Sequence, residues 1–565
     1  MAIEATALPR HVGSTILPDF PLFHRLLYIA AVDNPIAFHD VFHGIKATHA
    51  QFLSDVLHFR NQVQGELHPE VRKKLLRNEE VFICLIANGS YEFAVGFLAI
   101  VALGAIVVPI AFHVPVKEAF YFAQTSNAVA VLTNSTYKDK GDELAVVMRN
   151  TGSESFFSMN VATALGKPII PLSQISISSD HELLNSDPGI VIFTSGTTGP
   201  PKGALKKRSY CTNNAETFAN WWNLQPNDTL LHVMPVHHST GVSVNFFAPI
   251  VAGACIEFGA SNPKWRFSPK NMWDRWLQGG LTVFSGVPTM YQRMMRYYED
   301  EIVSKRGPQE AQRYADAAKS IRLLLCGTSA LPHSLQTKWK ELLGGNRKIL
   351  ERYGGTEFSG IFSAQPGDQN NPDGSAGKLL PGVEVKLSEG DKGEILMRSP
   401  HMFMRYLGKP EATAAAFTPD GWYKSGDIAR KEGDYFFILG RESIDIIKSG
   451  GYKLSALDIE REIIGLEYIA EAVVVGVEDE EYGQKVAAAI VQRKEGLIEP
   501  LTIERLRANL RSRLAPYKLP LLLRVVEELP RTPSGKVVKP KVSKELFPAN
   551  GHLDVQMYKP KRSKL

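Results

Sequence analysis

Between Glu80 and Leu439, short β-branched runs such as Val81 to Ile86, Val129 to Thr133 and Ile190 to Phe193 alternate with longer amphipathic stretches. A strand followed by a helical crossover returns the chain to a parallel neighbour, so the alternation predicts an α/β unit of largely parallel sheets flanked by helices. At 565 residues the chain exceeds what one hydrophobic core holds, and more than one folding unit is required. After Gly440 the pattern changes. A helix over 456–465, strands over 470–477 and 485–492, and a helix over 503–514 predict a small α+β domain. The expected organisation is a large N-terminal domain over 1–439, a small mobile C-terminal domain over 440–548, and a tail over 549–565 that lacks hydrophobic periodicity.

One stretch imitates a membrane span. Phe93 to Phe112 is almost wholly apolar and long enough to cross a bilayer as a helix. Gly96 and Gly104 interrupt it, Pro109 lies near its end, and Ala105 to Ile110 has buried-strand composition, so a helix, a turn and a strand are expected, with no transmembrane segment. With 44% apolar and 22% charged residues the chain has globular composition. The net charge of +5 is spread out, and its one dense basic cluster, Lys559, Lys561, Arg562 and Lys564, is terminal, which argues against a nucleic-acid surface. The four cysteines, Cys84, Cys211, Cys255 and Cys326, are far apart without zinc-like spacing and read as reduced core residues. The start of the chain has no basic stretch leading into an apolar segment, so secretion is not expected. The end, Ser563, Lys564 and Leu565, matches the address that a peroxisomal import receptor reads at a free C-terminus, so a peroxisomal location is expected.

The densest chemistry follows the strand Gly189 to Phe193. Thr194, Ser195, Gly196, Thr197, Thr198 and Gly199, then Pro200, Pro201, Lys202 and Gly203, combine glycines and hydroxyls with one cation. Such a loop can wrap a phosphate with backbone N–H groups while Lys202 adds charge. It is not a Walker loop, because GxxxxGK followed by Ser or Thr is absent.

The segment resembles the phosphate loop of the adenylate-forming enzymes, the family of acyl-CoA synthetases, aryl-CoA ligases, luciferases and peptide-synthetase adenylation domains. Further matches follow in the family's order. Tyr353-Gly-Gly-Thr-Glu357 resembles its YGxTE element, which implies phosphate contact for Thr356 and a magnesium ligand in Glu357; Tyr353 is placed beside the nucleotide. On chemistry alone, one carboxylate beside a phosphate loop suits Mg²⁺. Asp427 is similar to the aspartate that accepts both ribose hydroxyls, Arg441 to an arginine at the domain junction, and Lys536 to a lysine that reaches the acyl phosphate. Read singly, each of the three is an ordinary surface charge.

The resemblance implies ATP, Mg²⁺ and coenzyme A, and a reaction in two halves. The carboxylate attacks the α-phosphate of ATP and pyrophosphate leaves; the thiol of coenzyme A then displaces AMP. Rotation about a hinge near Ser443 is expected to withdraw Lys536 and present Ser449, Gly450 and Gly451 to the thiol.

For the acid, the resemblance is nearest to malonyl-CoA synthetases, carried by Glu351-Arg-Tyr-Gly, Ala412 to Phe417, Asp445 to Lys453 and Leu514-Ala-Pro-Tyr517. It implies that His238 lines the acyl pocket. Ile321 to Cys326 reads as an apolar strand ending in Gly327, at a strand end where ligands tend to sit, so Gly327 is a candidate substrate-binding residue. A short dicarboxylate needs a cation for its second carboxylate, and Arg352 is the candidate, a structural salt bridge being its alternative. Gly355 stands where that subgroup has methionine, and Ser239-Thr240 where it has Val-His. The missing bulk at Gly355 could admit a longer or branched acid, so a peroxisomal synthetase for medium-chain, branched or specialised-metabolite acids is the second expectation. A luciferase-like oxygenase would use the same adenylation residues, whereas the intact Lys202, Thr356, Glu357, Asp427, Arg441 and Lys536 speak against a binding protein that kept the fold without turnover. Replacing Lys536 with alanine is expected to depress acyl-adenylate formation more than thioester formation, as separate assays of the two half-reactions would show.

Overall fold

The computed structural model describes residues 13–194, 200–259, 261–262, 267–328, 331–441, 443–493, 500–531, 537–548 and 551–558. In the large unit, five parallel strands form one wall: Phe82–Ile86, Ile106–Ile110, Ala130–Thr133, Phe157–Asn160 and Pro188–Thr194. Two antiparallel strands, Lys202–Lys207 and Phe403–Tyr406, extend its edge next to Pro188–Thr194. A nine-stranded sheet is the second wall, with Thr229–His232, Val283–Gly286, Leu323–Cys326 and Leu350–Gly355 parallel at its centre. The hairpin partner Ser359–Ser363 then turns back along Leu350–Gly355. A four-stranded antiparallel sheet, Glu384–Glu389, Lys392–Arg398, Tyr423–Glu432 and Tyr435–Arg441, completes the unit.

The apolar stretch at 93–112 resolves as expected. Ser90 caps the helix Tyr91–Ala102 by accepting from Phe93 N at 3.3 Å. Gly104 at φ +78° turns the chain into the buried strand Ile106–Ile110. The whole helix is buried, which explains a sequence apolar on every side. Among the described residues no helix is long and apolar enough to cross a membrane.

The small unit packs helices Ala456–Ile464 and Ile503–Leu510 onto strands Ile469–Asp479, Gly483–Gln492 and Leu522–Val525. Residues 551–558, expected to be tail, belong to this unit. Strand Gln556–Met557 pairs with Leu522–Val525, Gln556 bonds Ile503 N and Leu501 O, and Tyr558 lies 3.8 Å from the Arg507 guanidinium carbon. The two units meet where Gln292 and Arg296 both donate to Ala470 O, at 3.0 and 2.8 Å.

Lys539 sits in the small unit between two poorly exposed carboxylates, 2.5 Å from Asp445 and 2.7 Å from Glu460. Asp445 accepts from Arg441 N at the junction of the units, so Lys539 ties that junction to the first helix of the small unit. Removing the lysine leaves two like charges facing each other in a low dielectric. Lys539→Met should therefore destabilise the small unit by about 3–5 kcal/mol, measured by urea denaturation.

Candidate active site

The two walls bring their strand ends together, where open α/β sheets bind ligands. Thr194 closes the strand that precedes the glycine-hydroxyl loop, and Lys202 pairs with it in register at the start of the returning strand. Ser195, Gly196, Thr197, Thr198 and Gly199 lie outside the described residues. The Lys202 ammonium stands 5.1 Å from the Tyr406 ring centroid, and the Tyr406 O–H donates to Glu357 Oε1 at 2.8 Å. Three elements thus converge: the returning strand, its neighbour Phe403–Tyr406, and the turn that carries Thr356 and Glu357.

Glu357 supplies a carboxylate there, and among the described residues no group of three His, Cys, Asp or Glu could enclose a metal. One carboxylate fits Mg²⁺, which keeps waters and takes phosphate oxygens as its other ligands.

Asp427 and Arg441 lie opposite each other in adjacent antiparallel strands. The Tyr353 O–H donates to Asp427 Oδ2 at 2.6 Å, and Arg441 Nε donates to Oδ1 at 3.1 Å. Each oxygen keeps a lone pair, so the carboxylate can still accept two vicinal hydroxyls. Burial pushes the Asp427 pKa above the usual carboxylate value against the pull of Tyr353 and Arg441.

A second cluster lies across the Leu350–Gly355 strand. Neighbouring residues there face opposite ways: Glu351 is buried and accepts Leu331 N at 3.1 Å, while Arg352 crosses to the other face. The Arg352 side chain covers Gly327, where a Cβ would meet its Cγ and Cζ at 3.0 Å. Its Nε and Nη2 are buried and find no acceptor among the described residues. Burial pushes the guanidinium pKa down, and the groups that offset this are Cys326, Tyr291 and Tyr210, none of them a carboxylate. Among the described residues the salt-bridge alternative for Arg352 finds no partner. Tyr210 donates to Ser239 O at 3.0 Å and lies 2.6 Å from Ser239 Oγ, linking this cluster to the His238 turn. The His237 and His238 rings are 4.3 Å apart, and burial, then His238 and His113, hold the His237 pKa well below its usual value.

The Gly355 expectation is corrected. A Cβ there would lie 2.6 Å from Cζ of Phe358, so the ring of Phe358 fills the room that the glycine leaves. Ser449, Gly450 and Gly451 sit at the turn between strands Ile446–Ser449 and Tyr452–Ser455. Gly450 and Gly451 adopt φ +55° and +84°, as a two-residue hairpin turn requires, and a Cβ at Gly451 would meet nothing within 4 Å. Lys536 lies outside the described residues.

Three residues at the site escaped the sequence. Tyr406 and Lys206 sit in strands with no motif, although Lys202-x-Ala204-x-Lys206 alternates toward one face. Thr328, next to Gly327, holds φ +81°, a strained conformation for a β-branched residue of the kind found at ligand sites.

The model of the AMP-binding enzymes matches residues 71–407, and that of their C-terminal domain matches residues 458–536. The chain belongs to the AMP-binding enzyme family. It is 34% identical over 489 residues to a malonate–CoA ligase of Arabidopsis thaliana, covering 82% of this chain and 78% of that one. It is 33% identical over 512 residues to the mitochondrial malonate–CoA ligase of Mus musculus, covering 83% and 82%. A solved malonyl-CoA ligase, in a ternary product complex with methylmalonyl-CoA and AMP, shares 28% identity at a TM-score of 0.57, with 88% of this chain and 97% of that one covered. The peroxisomal expectation is corrected by these relatives of the family, since the animal enzyme is mitochondrial; Ser563, Lys564 and Leu565 lie outside the described residues.

Asp427, with a lone pair left on each carboxylate oxygen, is the candidate for the two ribose hydroxyls. Asp427→Ala should raise the Kd for AMP about 10- to 100-fold, a loss of about 1.4–2.8 kcal/mol, as isothermal titration calorimetry would measure.

Proposed function

We propose that the acid is malonate. The chain is an AMP-forming acid–CoA ligase that uses ATP, Mg²⁺ and coenzyme A, and what remains to be assigned is the acid and the residues that hold it.

The observation that carries the proposal is the buried Arg352 guanidinium with two donors unused. A buried cation without a counter-ion is costly, and a carboxylate is the group that matches its planar donors. A dicarboxylate puts one carboxylate on Arg352 and leaves the other free to react. Its short span agrees with the lack of room at Gly355, where Phe358 fills the space. The plant and mouse relatives named above are malonate–CoA ligases, which agrees with this choice. A longer or branched apolar acid would leave Arg352 unpaired and lacks the room once expected at Gly355.

In the first half-reaction the free carboxylate oxygen attacks the α-phosphorus, the bond to the bridging oxygen breaks, and pyrophosphate leaves. Charge gathers on the phosphate oxygens, so cations fixed in advance do most of the work. Lys202 stands at the mouth of the loop, Glu357 would hold Mg²⁺, and Lys536 is proposed to reach the same phosphate from the small unit. Mg²⁺ supplies charge neutralisation on the triphosphate when bound. In the second half-reaction the thiol sulfur attacks the acyl carbon, AMP leaves with the bonding pair, and the thiol proton is released. Ser449, Gly450 and Gly451, whose turn is open on one side, are proposed to face the pantetheine arm.

AMP release on malonate, methylmalonate and octanoate should be fastest with malonate; preference for octanoate would overturn the proposal. Arg352→Leu should lower kcat/KM for malonate by about 10²- to 10³-fold and that for butyrate far less, because only malonate loses an ion pair.

A further inference from the structure

Lys206 is a lysine where strand alternation asks for an apolar residue. It lies on the same face of its strand as Ala204, which packs among Phe358, Phe403 and Tyr406, and it is 1% exposed. Burial of an ammonium costs several kcal/mol unless its donors are matched, whereas a leucine or methionine would fill the same space without that cost.

The side chain passes the Tyr210 ring, with Nζ 4.9 Å from its centroid, and ends among three main-chain carbonyls. Nζ donates to Thr356 O at 2.9 Å, to His401 O at 2.9 Å and to Glu357 O at 3.4 Å. An ammonium has three N–H donors and no acceptor, so donors and carbonyls match one to one. Two of the three carbonyls belong to the residues expected at the phosphate and the metal. The third, of His401, precedes the strand that carries Tyr406.

The same strand reaches Glu357 a second time. Lys202, four residues earlier, stands over Tyr406, whose O–H holds the Glu357 carboxylate. One end of the strand therefore sets the Glu357 side chain and the other its main chain. The turn between them needs such a hold, because Ser359 at its exit adopts φ +62°.

We propose that Lys206 is a positioning residue for adenylation, its ammonium fixing the main chain of Thr356 and Glu357 where their side chains meet the metal-bound triphosphate. This role rests on the adenylation reading given above. Lys206 touches neither substrate nor metal; it acts through two residues that do.

The test compares the full-length wild type with Lys206→Met and Lys206→Arg in malonate-dependent ATP–pyrophosphate exchange, with Mg²⁺ titrated, and in CoA thioester formation from purified malonyl-adenylate. Lys206→Met should lower kcat for exchange by about 10- to 100-fold, as a small displacement of a reacting group does. It should raise the Mg²⁺ concentration for half-maximal exchange by about tenfold, as loss of a group that orients a metal ligand does. The KM for malonate and the thioester half-reaction should stay within about twofold of wild type, and Lys206→Arg should recover part of the exchange. If Lys206→Met yields no folded protein, Lys206→Gln, with two donors, is judged by the same ratios. Unchanged exchange and Mg²⁺ dependence, or an equal fall in both half-reactions and in malonate KM, would overturn the role. If wild-type protein exchanges pyrophosphate with no acid, the adenylation reading fails and this role with it.

Discussion

The antiparallel strand Lys202–Lys207 is the constraint on which the rest of the site depends. It pairs on one side with the strand that ends in Thr194 and on the other with Phe403–Tyr406. The parallel sheet thereby becomes continuous with the strand carrying Tyr406, and Lys202 is set, through the Tyr406 ring, against the turn that carries Thr356 and Glu357. Ala204 in the middle of the strand packs into the core shared by Phe358, Phe403, Tyr406 and Tyr423. Apolar burial at the centre and cations at both ends make this strand a structural and an electrostatic element at once. Burial supplies the affinity that keeps the cations in place, since ion placement in a low dielectric is costly unless the scaffold holds it.

A second constraint, the buried donors of Arg352, carries the malonate proposal. A cation without a counter-ion favours any ligand that brings one, and it disfavours ligands that would bury apolar chain against it. Selectivity for a dicarboxylate then comes from a cost imposed on competitors as much as from attraction to the right ligand. Filling of the Gly355 position by Phe358 works in the same direction by steric exclusion.

The α/β alternation, the helix-turn-strand at 91–110 and the small C-terminal unit were legible from periodicity, because the patterns of buried strands and helices are local. Asp427, Arg441, Thr356 and Glu357 were legible as candidates only through motifs, since single polar residues look alike in a sequence. Lys206 and Tyr406 were not legible: their partners lie far along the chain, Thr356 for Lys206 and Glu357 for Tyr406. The void expected at Gly355 failed for a local reason: Phe358, which fills it, stands three positions later on a turn whose geometry a sequence does not display. Residues 551–558 lack periodicity, yet they pack through Gln556 and Tyr558, two contacts too few to make a pattern.

A crystal structure with a non-hydrolysable ATP analogue, Mg²⁺ and malonate tests the central claim most directly. The triphosphate should lie between Lys202 and Glu357, with one malonate carboxylate paired to the Arg352 guanidinium and the other facing the α-phosphate. A triphosphate bound away from Glu357, or malonate seated with neither carboxylate on Arg352, would contradict it.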